Sequence, residues 1–208
     1  VTQGMWALVL DLRNNGGGLL VEAIKMADLF LDTNAVIVSV RGRAPLKEQV
    51  FRATGNGTRF AFPLAVLVNG ASASASEIVT GAIKDNHRGL IIGDRTFGKG
   101  SVQTVLPVGN NDCSLRLTTA KYFTPSGVCI HGTGIYPHIL APLSLEDEIR
   151  LIEKRSTLYK KLDPASLTKE ERVRYENLRN VRDVPLERAI DILTALRMLG
   201  AEGITRFL

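Results

Sequence analysis

A chain of 208 residues with 45% apolar and 23% charged side chains is large enough for one full core and a smaller appendage, and its composition is that of an ordinary globular protein. The net charge of +5 is spread: residues 1–143 carry 13 basic and 9 acidic side chains and residues 144–208 carry 13 and 12, so no basic stripe marks a nucleic-acid partner. The apolar runs are strand-length, which excludes a bilayer span or signal peptide within these residues.

The chain opens at Val1 without methionine and enters an apolar run almost at once, so it is expected to be a piece of a longer protein. Any targeting segment, and with it any membrane association, would then lie before Val1. Residues 5–12 form a continuous apolar run that ends in Arg13-Asn14-Asn15-Gly16-Gly17-Gly18, which predicts a buried strand and a glycine turn. Leu19, Leu20, Ala23, Ile24, Ala27, Phe30 and Leu31 follow at helical spacing. Strands are expected over 35–40, 46–53 and 63–69, with a turn at 54–57.

After Asn69 comes the small-residue turn Gly70-Ala71-Ser72-Ala73-Ser74, then a helix through Ile78, Val79, Ala82 and Ile83 to about Asn86. Strands are expected over 89–94, 101–108 and 114–123, with a hairpin turn at 109–112 and another turn at 124–127. Beyond Pro142 the sequence becomes charged and helix-periodic, with Pro164 and Pro185 as breakers, and three helices are expected. This divides the chain into an α/β core, 1–142, and a helical extension, 143–208, with active loops at the strand ends of the core. The cysteines, Cys113 and Cys129, leave their pairing and the redox compartment open.

Ser74-Ala75-Ser76-Glu77 fits a capping box, and helix capping alone accounts for it. The same placement suits a nucleophile, because the free N–H groups and positive dipole of a helix N-terminus stabilise an oxyanion. A serine needs a base, and His87, His131 and His138 sit in no recognisable triad or metal-ligand pattern. Lys99, between Gly98 and Gly100, is the remaining candidate. A lysine acts as a base only when burial favours its neutral form, so a buried position is expected for it. If Lys99 opens the strand that follows, Gln103, four residues on, would share its face, and a neutral amide could orient the amine without holding it protonated. The glycine turn at 16–18 could supply a second oxyanion donor, or be only a strand-to-helix turn. Gly93-Asp94-Arg95-Thr96-Phe97-Gly98-Lys99 also matches a phosphate loop, but Gly100 stands where a magnesium-binding hydroxyl belongs and a strand follows where a helix is needed.

Four segments carry a resemblance: Leu10-Asp11-Leu12-Arg13-Asn14-Asn15-Gly16-Gly17-Gly18, the Ser72 to Glu77 run, Gly93 to Gln103, and Lys121-Tyr122-Phe123-Thr124-Pro125-Ser126-Gly127. In order and spacing they resemble the C-terminal processing peptidases, or tail-specific proteases, over residues 1 to about 142. The resemblance implies a ClpP/crotonase-like α/β core and a Ser–Lys endopeptidase that needs no cofactor or metal and cuts near the C-terminal tails of extracytoplasmic proteins, in the periplasm or cell envelope. It implies Ser74 as nucleophile, Lys99 as base, Gln103 as its support, and the backbone N–H groups of Gly17 and Ala75 as the oxyanion hole. Family members usually carry a PDZ domain before the core, and none lies within these residues; homo-oligomerisation is left open. Gly16 stands where proline is usual, Asp94 where glutamate is commoner, and residues 144–183 match no family motif, leaving an assembly arm or a solvated insertion. A non-catalytic scaffold with a peptidase-like core is the alternative, and a crotonase-like acyl-CoA enzyme would share the fold but give the Ser–Lys pair no role.

Overall fold

The computed structural model describes residues 4–42, 48–55, 62–109, 113–159 and 168–207. Pro164, the hairpin-turn residues 110–112 and parts of the expected 46–53 strand and 54–57 turn lie outside them. In chain order the elements are β1 (Leu8–Asp11), α1 (Leu20–Asp28), β2 (Val36–Gly42), β3 (Gln49–Arg52), β4 (Leu64–Val68), α2 (Ala75–Asp85), β5 (Leu90–Gly93), β6 (Ser101–Pro107), β7 (Ser114–Phe123), β8 (Ile139–Leu140), α3 (Leu145–Tyr159), α4 (Lys169–Arg179) and α5 (Val184–Phe207). The fold is mixed α/β, as expected. Only the two-residue β8 has no counterpart in the sequence reading.

Two four-stranded sheets form. One is parallel, in the order β1-β4-β5-β8, and the other antiparallel, in the order β3-β2-β7-β6. β4 is buried along its whole length because both faces of the parallel sheet are covered. Successive side chains point to opposite faces. Leu64, Val66 and Val68 join α1 and α2 in one apolar cluster with Ile37 and Val38 of β2, while Ala65 and Leu67 meet Ala189 and Leu193 of α5 in a second. Helices α1 and α2 thus fill the space between the sheets, and α5 closes the outer face of the parallel one.

Local signals fix the helix ends. At the C-terminus of α2, His87 adopts a left-handed conformation (φ 53). Its N–H donates to Lys84 O at 3.0 Å and that of Arg88 to Ile83 O at 2.9 Å, the paired bonds that close a helix. Pro185, expected as a breaker, instead sits in the first turn of α5, where its missing N–H costs no helical bond. Cys113 and Cys129 are both free thiols. Among the described residues no helix is long and apolar enough to cross a membrane.

The topology decides where a site can form. β1, β4 and β5 are adjacent and parallel, so the loops leaving their C-terminal ends, 12–19, 69–74 and 94–100, converge at one edge of the sheet, where α/β sheets bind ligands. The stretch that matches a phosphate-loop pattern is part of this edge, and it leads into strand β6 rather than a helix, as its sequence predicts.

Candidate active site

Ser74 is the N-cap of α2 and holds an unusual backbone, φ 57 and ψ −115. A non-glycine residue there stores on the order of 1–3 kcal/mol of strain, and persists only where its surroundings over-determine it. Those surroundings are specific. Ser72 Oγ donates to Leu12 O at 2.8 Å and accepts from Asn69 N–H at 3.0 Å. Ala73 N–H and Ser76 Oγ both donate to Asn15 O, each at 3.0 Å, and Phe97 N–H donates to Ser72 O at 3.0 Å. The serine turn is therefore bonded to the glycine turn on one side and to the lysine loop on the other.

Glu77 does more than the capping box requires. It is fully buried, and its carboxylate accepts four hydrogen bonds. Oε2 accepts from Ser74 N–H and from Lys99 N–H, each at 2.8 Å; Oε1 accepts from Gly98 N–H at 2.7 Å and Thr96 Oγ1 at 2.6 Å. Thr96 Oγ1 in turn accepts from Ile135 N–H at 2.7 Å. One oxygen thus binds the backbones of both Ser74 and Lys99, and the Ser74 side chain faces the Glu77 backbone N–H to complete the capping box. The sequence pattern identified Glu77 as a cap partner but carried no sign of the bonds to the loop 21 and 22 residues downstream.

Gly17 has φ +90 and lies directly against the serine turn: a Cβ there would come within 2.5 Å of Ala73 O, 2.6 Å of Ala75 N and 2.9 Å of Ser74 Cβ. Only glycine fits this approach. Its N–H donates to Asn15 Oδ1 at 2.9 Å, so it becomes available to an oxyanion only if the Asn15 side chain turns away. Ala75 is the first residue of α2, and its N–H is one of the orphan donors of a helix start. Gly100 packs as closely on the other side, its position leaving 2.3 Å between a hypothetical Cβ and His131 N.

The expected burial of Lys99 is not met: both Lys99 and Gln103 are exposed, although Ser74 beside them is half-buried. Lys99 precedes β6, which begins at Ser101 as expected, so the condition that Lys99 opens the strand and shares a face with Gln103 is not met. Glu77 and the glycines hold the Lys99 backbone inward, while no described segment packs over the side chain. Gln103 lies at a register shift in the β6–β7 pairing, opposite Thr118, and no hydrogen bond joins it to Lys99. The histidines stay outside the site. His138 Nδ1 accepts from Ile91 N–H at 3.0 Å, and burial, with the nearby charges of Lys84 and His87, holds its pKa below the ordinary histidine value.

A serine on a strained helix cap thus lies between a glycine turn and a lysine loop. Residues 1–141 match the profile of Peptidase family S41, and the chain belongs to that family. A carboxy-terminal-processing protease of Bartonella bacilliformis is 49% identical over 149 residues, covering 72% of this chain and 34% of that protein. The chloroplastic C-terminal processing peptidase of Tetradesmus obliquus is 40% identical over 155 residues, 72% of this chain and 33% of that protein. The photosystem II D1 C-terminal processing protease superposes with a TM-score of 0.63 at 42% identity, over 68% of this chain and 36% of that one. The chain spans about a third of the length of these relatives.

Proposed function

We propose that this chain is the catalytic core of a serine endopeptidase that trims proteins near their C-termini. Ser74 Oγ attacks the peptide carbonyl and gives its proton to neutral Lys99 Nζ. The tetrahedral intermediate collapses with loss of the amine, which takes up that proton, to an acyl-enzyme on Ser74. Water, losing a proton to Lys99, then attacks the acyl carbon, and Lys99 returns that proton to Ser74 Oγ as the acid leaves. The N–H groups of Ala75 and Gly17 receive the oxyanion, the latter after release from Asn15. Gln103 orients the lysine amine. The observation that carries this reading is the single Glu77 oxygen that accepts from both the Ser74 and Lys99 backbones.

Lys99 is exposed, so the desolvation its role needs comes from bound substrate or from parts of the longer protein. Protein tails are the substrates, as the names of the relatives suggest, and the site is extracytoplasmic. Residues 1–142 form the peptidase unit, with the ClpP/crotonase-like arrangement of its family, and 143–208 the extension. The exposure of Lys99 favours a second reading, a partner-binding core without catalysis. One experiment separates the two. In the complete protein carrying this chain, Ser74→Ala and Lys99→Ala are each expected to lower kcat for cleavage of a tail peptide by at least about a thousandfold, with circular dichroism and unfolding midpoint retained. Full activity in Lys99→Ala would overturn the dyad, and no cleavage by the unmutated protein would favour the scaffold.

A further inference from the structure

We propose, on the reading that the chain is a peptidase core, that the extension beyond residue 141 supplies positioning residues for the active site, with Asp183 and Arg155 fixing the glycine turn and Glu148 fixing the junction of the glycine and serine turns. These three residues lie beyond residue 141, where the match to the family profile ends.

The Arg13 side chain, only 5% exposed, stands immediately before the glycine turn and is held on both sides. Its Nη1 and Nη2 donate to the two oxygens of Asp183 at 2.6 and 2.9 Å, and its Nε and Nη2 donate to Asp11 at 2.9 and 2.8 Å. Arg155 of α3 bridges the same two carboxylates, at 2.7 Å to Asp11 and 3.2 Å to Asp183. Forked arginine–carboxylate pairs of this kind fix direction as well as distance. Lys154, next to Arg155, donates to Val181 O at 2.8 Å, so α3 also holds the segment that carries Asp183.

A second tie reaches the serine turn. Asn69 Oδ1 accepts from Asn14 N–H at 3.0 Å and Ala71 N–H at 3.2 Å, while its Nδ2 donates to Asn14 Oδ1 and to Glu148 Oε1, each at 3.0 Å. Glu148 therefore adds a further bond to an amide already oriented by Asn14 and Ala71, and that amide joins the two turns flanking Ser74. Beyond the bonds of Ala73 and Ser76 to Asn15 O and the close approach of Gly17 to the serine turn, the glycine turn makes little contact. A Cβ at Gly16 or Gly18 would meet nothing within 4 Å, and Leu19 is 69% exposed. Polar contacts therefore set the turn's position, and part of them comes from the extension.

The test uses the complete protein with Asp183→Asn and Glu148→Ala, assayed on a fluorogenic peptide with a free C-terminus well below the unfolding temperature. A misplaced turn lowers kcat by about tenfold or more while KM stays within about twofold, since displacement weakens transition-state contacts more than substrate binding. Wild-type kcat in both folded variants would overturn the proposal, as would activity lost only in proportion to unfolded protein. Glu148→Ala removes the bond accepted from Asn69 Nδ2 and keeps the test open if Asp183→Asn does not fold. A readout without catalysis separates this proposal from the peptidase reading. Amide hydrogen exchange at residues 14–18 is expected to quicken at least about tenfold in Asp183→Asn, and unchanged exchange sinks the positioning role even if the protein cleaves. Absent cleavage with quickened exchange would instead count against the peptidase reading alone.

Discussion

The Glu77 carboxylate receives four hydrogen bonds and returns none, which uses the acceptor capacity of a carboxylate in full. Three of the donors are backbone N–H groups, and those of Gly98 and Lys99 lie in a loop with neither a helical nor a sheet partner of its own. Glu77→Gln keeps the shape but turns two acceptor sites into donors, so two of the four groups face an N–H and are left buried and unpaired. Each such loss costs about 1–3 kcal/mol, and a total destabilisation of about 3 kcal/mol is expected from urea unfolding of Glu77→Gln against wild type. Activity is expected to fall further than stability explains, because Ser74 and Lys99 lose their shared anchor. A variant with unchanged midpoint and kcat would mean that the carboxylate is only a helix cap. That lesser role was legible in the sequence, since Ser74 and Glu77 stand three apart. The loop contacts were not, because spacing within a helix says nothing of what passes over its end.

At the scale of elements, strands and helices were legible where the chain is apolar and periodic, as in β4 and α2. The two-residue β8 was not, since so short a strand exists only because β5 offers it an edge. Residues 144–183 read as an assembly arm or a solvated insertion because they match no family motif, and their balanced charge favours the insertion. Folded, they bring Arg155 and Asp183 to Arg13, a partner 170 positions from Asp183 that no local pattern could indicate. This junction gives a pH dependence. Burial alone would raise the pKa of Asp11 and Asp183, but hydrogen bonds and the charge of Arg13, with a smaller contribution from Arg155, outweigh it and hold both below the ordinary carboxyl value of 3.8. Below that value the unfolded chain binds more protons than the folded one, so stability rises with pH through this window. The junction's contribution is whole above pH 3.8 and is lost as pH falls through the lower folded values. Urea midpoints at pH 6 and pH 3 are expected to differ more in wild type than in Asp183→Asn. An equal drop in both would show that the junction does not drive acid unfolding.

For the whole molecule, the boundary suggested by the family match at residue 141 does not coincide with a boundary of the core. The outer face of the parallel sheet is made of Ala65, Leu67 and Ile92, fully or almost fully buried, and their cover comes from Ala189 and Leu193 of α5. Partly buried Val9, Leu90 and Ile139 pack into the same cluster beside Leu186 and Ile192. Removing the extension would expose this apolar face in one contiguous patch, of the kind that drives association of soluble proteins. A chain ended at residue 142 is therefore expected to bind a hydrophobic dye, elute as aggregate in gel filtration and lose cooperative unfolding, while the 208-residue chain does none of these. Leu193→Ala in the intact chain tests the same contact more gently, and an expected loss of about 3 kcal/mol follows from truncating a buried leucine. A truncated chain that stayed monodisperse and unfolded cooperatively would mean that the parallel sheet tolerates an open face. In that case α5 would be an accessory to the site rather than half of the core.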